Sequence, residues 1–488
     1  MRFRVLFSSS LVIAAAVSVQ ACSGASTSGT DLFGGDDGGD IGDASGGSDG
    51  ALQPGHDGGA RDGGGGDSAT ADAGSACKNL ECQQVKCDGG RVTTLSGTVR
   101  DPGKVNPIYA ALVYVPNRKP DAMPQGLACD RCGAPPSGEP LSVALSAANG
   151  SFQLTNVPAG NDIPLVIQIG RWRRIVRVSH VEACTDNVIA DKDLTRLPKT
   201  SAEGDIPQMA VATGGCDPFE CLLRKIGIDD SEFTAPSGTG RVHLYQGQGG
   251  ATPSGAVLPA TALWSSAATM SKYDAVLNAC ECGDNAQEKP LASLRNMLEY
   301  VDHGGRWLGT HYHQYWLMNG PAPLPSTATF LAPEGSGANT MVATVDTTFP
   351  KGAAFADWLV TTGASATRGQ VSLDEMRYGV TAAAPPATTW LAGTNSGQPA
   401  VGQYSFTTPY APRDAGAGDA GASQACGKVA FSDYHEALSS PNADAGVFPS
   451  ECVSGPMSAQ EKALEFLLFD LTSCIADDHD APKPPPLK

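Results

Sequence analysis

Residues 290–311 of this chain read PLASLRNMLEYVDHGGRWLGTH. Their first half repeats apolar residues at the spacing of one helix face, which predicts a helix over Pro290 to Asp302. His303 and the two glycines after it end this helix, and Arg306 to Thr310 then predict a strand. Because another strand-like run, Tyr273 to Asn278, precedes the helix, the segment predicts a strand–helix–strand unit with parallel strands.

The same alternation extends over residues 205–476, where we predict an α/β domain built on a parallel sheet. Further strands are predicted over Gly240–Tyr245 and Gly427–Ser432, and an amphipathic closing helix over Ser458–Cys474. Residues 320–425 are rich in Gly, Ala, Thr and Pro and show no clear period, so their elements stay unassigned.

Residues 77–200 have a different pattern, in which short strand-like runs are separated by turn residues such as Asn149 and Gly150. Short strands at this spacing are typical of a small antiparallel β-sandwich, here one rich in cysteine. The predicted strands are Val92–Val99, Ala110–Val115, Ser151–Thr155, Leu165–Ile169 and Ile175–Val178.

Three parts of residues 77–200 resemble the carboxypeptidase-regulatory-like (transthyretin-like) domain. They are LSGTV at 95–99, ALVYVP at 111–116 and NGSFQLTNVPAG at 149–160, and the last resembles a hairpin of that family. The resemblance implies a β-sandwich that serves for adhesion or spacing, since members of the family are mostly not catalytic.

The α/β part resembles the flavodoxin-like, ThuA-like branch of the class I glutamine-amidotransferase-like fold. The resemblance rests on YDAVL at 273–277, LEYVDHGGRWLGTH at 298–311 and GKVAFSDYH at 427–435. Amidotransferases of that fold carry a nucleophilic cysteine in a turn after a strand, whereas the matching turn here holds His311. ThuA-like proteins also place histidine near this turn. Because acyl transfer needs a nucleophile, we expect no glutaminase activity.

Histidines follow two of the predicted strands. His311 and His313 lie two residues apart and would share one face of a strand, and His435 ends another strand. Ligands of open α/β sheets bind beyond the carboxyl ends of strands, so these side chains are candidates for one ligand or metal cluster, which Asp433 or Glu436 could complete. Three interpretations stay open: a catalytic or divalent-metal cluster, a ligand crevice without chemistry, and structural histidines.

The run Arg171, Trp172, Arg173 and Arg174 combines basic and aromatic residues. One interpretation is contact with a sugar or polyanion, through stacking on Trp172 between the flanking arginines. The other, which we favour, turns Trp172 into the core and leaves the arginines solvated.

The first residues resemble a bacterial export signal. Arg2 and Arg4 precede an apolar stretch over Val5–Val19 that is too short to span a membrane. VQAC at 19–22 resembles a lipobox, so residues 1–21 are expected to be a signal peptide and Cys22 to be lipidated. The alternative is an ordinary cleaved signal followed by a chance cysteine.

Ser23, rather than aspartate, follows the predicted lipid-bearing cysteine, which favours anchoring in the outer membrane of a bacterial envelope. Residues 22–76 are rich in Gly and Asp and are expected to form a disordered linker, and 477–488 a disordered tail. The formal net charge of −18 argues against nucleic acid as a partner.

Fourteen cysteines, thirteen of them after Cys22, are typical of an oxidising compartment. Six fall in the first part of the chain and could close three bridges, while the seven that follow leave at least one thiol over. Cys129 and Cys132 are expected in a local loop disulfide or in two separate bridges, with zinc or redox chemistry as alternatives. Cys280 and Cys282 are too close for mutual pairing. The disulfide candidates are Cys77, Cys82, Cys87, Cys129, Cys132, Cys184, Cys216, Cys221, Cys280, Cys282, Cys426, Cys452 and Cys474.

The whole build resembles a group of predicted bacterial lipoproteins, some of which carry the label tryptophan synthase alpha chain. The sequence has no eightfold βα repeat to support that chemistry. We expect a lipid-anchored envelope protein that binds a glycan, the cell wall or a protein partner without catalysis. The alternative is an envelope hydrolase or isomerase that acts on a carbohydrate with the help of a divalent metal.

Overall fold

The structure is a computed structural model that describes residues 77–251, 257–331, 339–409, 425–436, 452 and 455–487. The predicted signal peptide, Cys22 and the Gly/Asp-rich linker lie outside the described residues. Within the described part, no helix combines the length and the apolar character needed to cross a bilayer.

The N-terminal β region, residues 77–200, contains two small sheets. One has the strand order β4-β1-β7 and the other β3-β2-β5-β6. Their strands are β1 (Thr94–Thr98), β2 (Leu112–Pro116), β3 (Pro140–Leu145), β4 (Ser151–Thr155), β5 (Gly160–Ile169), β6 (Trp172–Val181) and β7 (Asp186–Val188). The strand-rich character is as predicted, but β3 and β7 were not predicted, and β1 pairs with β7 in parallel.

Alternation decides which side chains of the β region are buried. In β4 the two apolar residues Phe152 and Leu154 point inward, while the polar residues between them are exposed. They pack in one core cluster with Leu95, Val113 and Ile167, which come from both sheets. The two sheets therefore share one apolar interior.

The α/β region, residues 205–476, is organised around a ten-stranded sheet formed by described residues, in the order β15-β14-β17-β18-β19-β12-β11-β8-β10-β9. Its strands are β8 (Met209–Thr213), β9 (Phe233–Thr234), β10 (Val242–Gln246), β11 (Ala275–Asn278), β12 (Arg306–Thr310), β14 (Asn339–Val345), β15 (Gln370–Met376), β17 (Thr388–Asn395), β18 (Gln398–Thr408) and β19 (Gly427–Ser432). A separate pair is formed by β13 (Ala328–Phe330) and β16 (Val380–Ala383).

The sheet has a parallel half and an antiparallel half. From β19 to β9 all neighbouring strands are parallel, as the strand–helix–strand pattern predicted. From β19 to β15 they are antiparallel, which was not predicted. Every residue of β8, β11, β12 and β19 is buried, as is typical of parallel strands that are covered on both faces.

The helices are α1 (Phe219–Ile226), α2 (Ala260–Trp264), α3 (Ala267–Met270), α4 (Leu291–Asp302), α5 (Gln314–Met318), α6 (Pro350–Thr361) and α7 (Ala459–Leu471). Helix α4 ends as predicted, with Gly304 at φ +113° after it. Helix α7 begins after Ser458, which shares a capping box with Glu461. It ends at Leu471, three residues before the predicted end.

Six disulfides join the described cysteines: Cys77–Cys82, Cys87–Cys184, Cys129–Cys426, Cys132–Cys474, Cys216–Cys282 and Cys221–Cys452. Cys129 and Cys132 form two separate bridges, the second of the two expected arrangements. The first six cysteines do not all pair among themselves, because both of these bridges reach into the α/β region. Cys280 was predicted as a disulfide candidate, but among the described residues it is the free cysteine.

The C-terminal end of the chain is held by a buried ion-pair group. Lys351 of α6 contacts Asp470 and Asp478 at 2.9 Å each, and Lys428 of β19 contacts the same two carboxylates, Asp478 at 2.6 Å. Asp478 is buried, so the prediction of a disordered tail over 477–488 does not hold at this residue.

Candidate functional site

Three neighbouring parallel strands end at the same edge of the sheet. Cys280 follows β11 after one residue, His311 directly follows β12, and His435 lies three residues beyond β19. Because β11, β12 and β19 are adjacent and parallel, the segments after them come together. This is the edge at which open α/β sheets bind ligands.

The three side chains meet in a closed cluster. The Sγ atom of Cys280 lies 3.2 Å from Nδ1 of His311, and Nε2 of His435 lies 3.1 Å from the same Nδ1 atom. One donor atom from each residue lies within 4.8 Å of the other two. The relative exposures are 0% for Cys280, 1% for His311 and 3% for His435. The cluster is therefore shielded from solvent.

His311 occupies a turn between a strand and a helix. Its φ is +45°, a left-handed conformation that non-glycine residues adopt at an energetic cost and that is common at functional sites. A short 3-10 turn over His311–His313 and helix α5 follow. This is the turn that the sequence analysis singled out because it holds a histidine and no nucleophile.

Thr310 and Asp217 fix the main chain around the cluster. The amide of Cys280 donates to Oγ1 of Thr310 over 3.0 Å, and this hydroxyl donates to Oδ2 of Asp217. The other carboxylate oxygen of Asp217 accepts the amide of Glu436 at 2.7 Å. Both Thr310 and Asp217 are fully buried. One carboxylate thus connects the segments that carry Cys280 and His435.

His313 was predicted in the cluster but lies outside it. Its Nε2 donates to the carbonyl oxygen of Ala279 at 2.9 Å, because its Nδ1 accepts the indole N–H of Trp316, also at 2.9 Å. Burial lowers the pKa of His313 well below its usual value, and the charge of Lys289 adds to this effect. Both ring nitrogens take part in hydrogen bonds within the protein, so His313 is a structural histidine.

Asp433 and Glu436 were proposed to complete the cluster, and neither does. Asp433 is buried and accepts the amide of Val380 through Oδ2 at 3.2 Å. Burial raises the pKa of Glu436 well above its usual value, and the neighbouring Glu461 raises it further. Among the described residues, the metal-ligating group consists of Cys280, His311 and His435.

Cys280 was the residue that sequence reasoning missed. Burial by itself would raise the pKa of this thiol, but hydrogen bonds from His311 and His435 outweigh it and lower the pKa to about 6. Burial also lowers the pKa of His311, an effect that the thiol partly offsets. The odd number of cysteines was a signal of a free thiol, but it did not say which cysteine is free.

The basic–aromatic run of β6 is structural. Trp172 is fully buried and packs against Phe469 of α7 with ring centroids 5.6 Å apart, so its ring is not available to a sugar. The arginines are not solvated as expected. The ion pairs are Arg171–Asp130 at 2.8 Å, Arg171–Asp274 at 3.3 Å, Arg173–Asp205 at 2.9 Å and Arg174–Asp193 at 3.7 Å.

A cavity of about 750 Å³ lies between the β region and α7, and its lining includes none of Cys280, His311 and His435. Two of its charged lining residues, Arg173 and Lys351, are already held in ion pairs with aspartates. The cavity is large enough for a small molecule. Among the described residues, the group of side chains that could hold a metal ion is the buried cluster, so we take the cluster as the candidate site.

No protein-family model matches the chain, and no curated protein matches it. Among solved structures, the chain is similar to a cytoplasmic protein of Salmonella typhimurium, at 13% identity and a TM-score of 0.28, over 55% of this chain and 98% of that one. It is also similar to a putative ThuA-like protein of Bacteroides uniformis, at 9% identity and a TM-score of 0.21, over 38% of this chain and 66% of that one. Likenesses at these TM-scores carry no conclusion about function.

Proposed function

We propose that this chain is a metal-binding protein, whose α/β region holds a transition-metal ion through Cys280, His311 and His435. The observation that carries the proposal is that Sγ of Cys280 and Nε2 of His435 both lie against the same nitrogen of His311. In a nucleophile–histidine–carboxylate triad, the histidine uses one nitrogen for the nucleophile and the other for the orienting group. Here both partners lie against one nitrogen, and all three donor atoms lie within 4.8 Å of one another, which favours a ligand set.

The distances between the donor atoms support this interpretation. A tetrahedral zinc site with Zn–S of about 2.3 Å and Zn–N of about 2.0 Å places sulfur and nitrogen about 3.5 Å apart and two nitrogens about 3.3 Å apart. The corresponding distances in the cluster are 3.2 Å and 3.1 Å. In these two pairs, a bound ion therefore requires the donor atoms to separate by only a few tenths of an ångström.

The chemistry of the donors restricts the class of ion. Thiolate and imidazole are soft or borderline ligands that suit zinc, copper and other late transition metals, whereas calcium and magnesium prefer oxygen. Side chains also hold the main chain at two of the ligands. Thr310 accepts the amide of Cys280, and Gln460 donates to the carbonyl oxygen of His435 at 3.0 Å.

We place this metal-binding protein in the bacterial envelope, anchored through a lipid on Cys22 in the outer membrane. Support comes from the export signal and lipobox-like sequence, and from six disulfides that suit an oxidising compartment. In this proposal the β region is a carboxypeptidase-regulatory-like spacer between the linker and the metal-binding region.

We further propose that the α/β region is flavodoxin-like and related to ThuA-like proteins. The parallel strands β8, β10, β11, β12 and β19, numbered one to five along the chain, stand in the order 2-1-3-4-5 in the sheet, apart from the edge strand β9. This is the strand order of flavodoxin-like folds. The cluster follows the third, fourth and fifth of these strands.

A metal-assisted hydrolase or isomerase that acts on a carbohydrate is the second candidate. Three protein ligands leave a coordination position for water or substrate, as in catalytic zinc sites. The burial of all three ligands opposes it, since a substrate would have to displace the covering residues. Metal binding without turnover therefore ranks first.

The test is the metal content of the purified full-length chain, measured by mass spectrometry, as isolated and after incubation with zinc or copper. We expect a stoichiometric transition metal in the wild type and its loss in Cys280→Ser and in His311→Gln. His180→Gln is the matched control, because His180 is exposed and lies in the β region. Absence of metal under all conditions, or equal metal content in the ligand variants and the control, overturns the proposal.

A further inference from the structure

We infer that the ion held by Cys280, His311 and His435 is monovalent copper, Cu(I). This inference rests on the proposed metal-binding function and specifies its ligand. The first argument is charge. The ligand set carries a single negative charge, on the thiolate, because imidazoles bind metals in their neutral form.

A monovalent cation makes this site electrically neutral, whereas a divalent cation leaves one net positive charge. Transferring a net charge from water into a protein interior is costly unless a counter-charge accompanies it. The exposures of the three ligands, 0 to 3%, show that little water is available to solvate such a charge. Burial therefore favours the neutral complex.

The charges of Arg377 and Asp217 do not reverse this preference. The field of Arg377 acts on His311 and is positive, so it disfavours a second positive charge. Thr310 lies between the Asp217 carboxylate and the cluster, and its hydroxyl donates a hydrogen bond to that carboxylate. The Asp217 carboxylate also accepts a hydrogen bond from the amide of Glu436. That carboxylate is thus already engaged by two hydrogen-bond donors.

The number and softness of the donors point to the same ion. Zinc in closed protein sites is almost always four-coordinate, whereas Cu(I) is satisfied by two or three soft donors. Among the cysteine, histidine and acidic residues that the structure describes, the metal-ligating group has three members and so offers three donors. On loading, a Cu–S bond forms, the thiol proton is released to solvent, and copper keeps its oxidation state.

The experiment is a competition between the two ions on the full-length chain, stripped with a chelator and handled without oxygen. Thiol reductants are left out, because the chain has six disulfides. The zinc-loaded protein is titrated with chelator-buffered Cu(I), and released zinc and the ultraviolet thiolate-to-copper absorption are recorded. We expect one equivalent of Cu(I) to displace the zinc, and excess zinc not to displace Cu(I).

Variants separate the failure of this inference from the failure of the proposed function. Cys280→Ser should weaken Cu(I) binding by at least ~100-fold and abolish the absorption, because a hydroxyl is a hard ligand, while His180→Gln should behave as the wild type. Zinc that stays bound against equimolar Cu(I) overturns the inference and leaves the metal-binding function intact. If neither ion binds the wild type, the proposed function itself fails.

Discussion

The indole Nε1 of Trp172 donates a hydrogen bond to the hydroxyl of Thr472 over 3.3 Å. Trp172 begins strand β6, and Thr472 directly follows helix α7, so this bond joins the N-terminal β region to the last helix of the α/β region. The same hydroxyl donates to the carbonyl oxygen of Leu468 at 2.9 Å. The two regions are therefore joined through a buried hydroxyl that both accepts and donates a hydrogen bond.

Replacing Trp172 with alanine should destabilise the protein without revealing a ligand site. The change leaves a large cavity against Phe469 and removes the partner of Thr472, so we expect a loss of about 3–5 kcal/mol in the free energy of unfolding. Denaturant unfolding measures it. His180→Ala, an exposed change in the same strand, should cost little. Unchanged stability together with lost glycan binding would instead favour the sugar-contact interpretation.

The two disulfides between the β and α/β regions should contribute more stability than the disulfide at the start of the described chain. Cys129–Cys426 and Cys132–Cys474 close segments with sequence separations of 297 and 342, whereas Cys77–Cys82 closes one of 5. Long loops lose more conformational entropy on cross-linking in the unfolded state, so removal of Cys132–Cys474 should cost about 2–4 kcal/mol.

The measurement compares Cys132→Ser/Cys474→Ser with Cys77→Ser/Cys82→Ser in denaturant unfolding under oxidising conditions. The second double variant is the matched control, because it also removes two sulfurs but releases a short loop. Equal losses of stability in the two double variants would contradict the prediction.

The buried ion-pair group of Lys351, Lys428, Asp470 and Asp478 should be sensitive to the loss of one charge. Lys351→Met leaves Asp470 and Asp478 with one lysine between them in a buried place, and breaking such a group typically costs about 3–5 kcal/mol. The exposed pair Arg368–Asp357 is the control, since Arg368→Ala should have little effect on stability. Thermal and denaturant unfolding would show whether the two changes differ as expected.

Stability should fall as the pH rises from about 4 to above 6, because of Asp101 and Glu465. Burial raises the pKa of Asp101 to about 6 and that of Glu465 well above its usual value. The charge of Asp101 raises the pKa of Glu465 further, whereas the hydrogen bond from Glu465 partly offsets the effect of burial on Asp101. The folded protein therefore binds more protons than the unfolded chain in this window. The resulting stability is present below the unfolded pKa values and is lost as the pH passes through the folded ones.

Unfolding free energies measured across this window test the prediction, with Glu465→Gln expected to reduce the slope. The buried amide keeps the acceptor for Asn106, which donates to Glu465 Oε2 at 2.5 Å. Glu203 is the contrasting case: hydrogen bonds from Arg196 lower its pKa to about 2, so it titrates below the window. A slope that is unchanged in the variant would refute the assignment to this pair.

Local patterns predicted the elements that position the site. The run over 306–310 is strand β12, the helical spacing before it is α4, and 427–432 is β19. Residues 320–425 were left unassigned, although the described residues of β14 and β15 alternate between buried and exposed positions. Strand β18 is different. In β18, residues from Ala400 to Ser405 are continuously buried, so no alternation marks the strand.

Within the cluster, sequence reasoning found His311 and His435 from their places after strands. It wrongly added His313, Asp433 and Glu436, and it missed Cys280. His313 was expected on the same face as His311, which holds only if the strand continues. The chain turns into a 3-10 helix at His311, and this rotates His313 towards Trp316. Cys280 was missed because disulfide pairing depends on contacts far apart in the sequence, and Cys282 pairs with Cys216 rather than with a neighbour.

Binding of the proposed ion should stabilise the folded protein by mass action. A ligand that binds only the folded state adds about 2.7 kcal/mol at a free concentration of about 100 Kd. Because Cys280, His311 and His435 follow three different strands, an ion between them links the ends of β11, β12 and β19 and should raise the unfolding temperature. Thermal unfolding of the full-length chain with and without chelator-buffered Cu(I) measures the shift. In Cys280→Ser the shift should vanish, and in His180→Gln it should persist; an equal shift in both variants would mean that the ion stabilises the protein from another place.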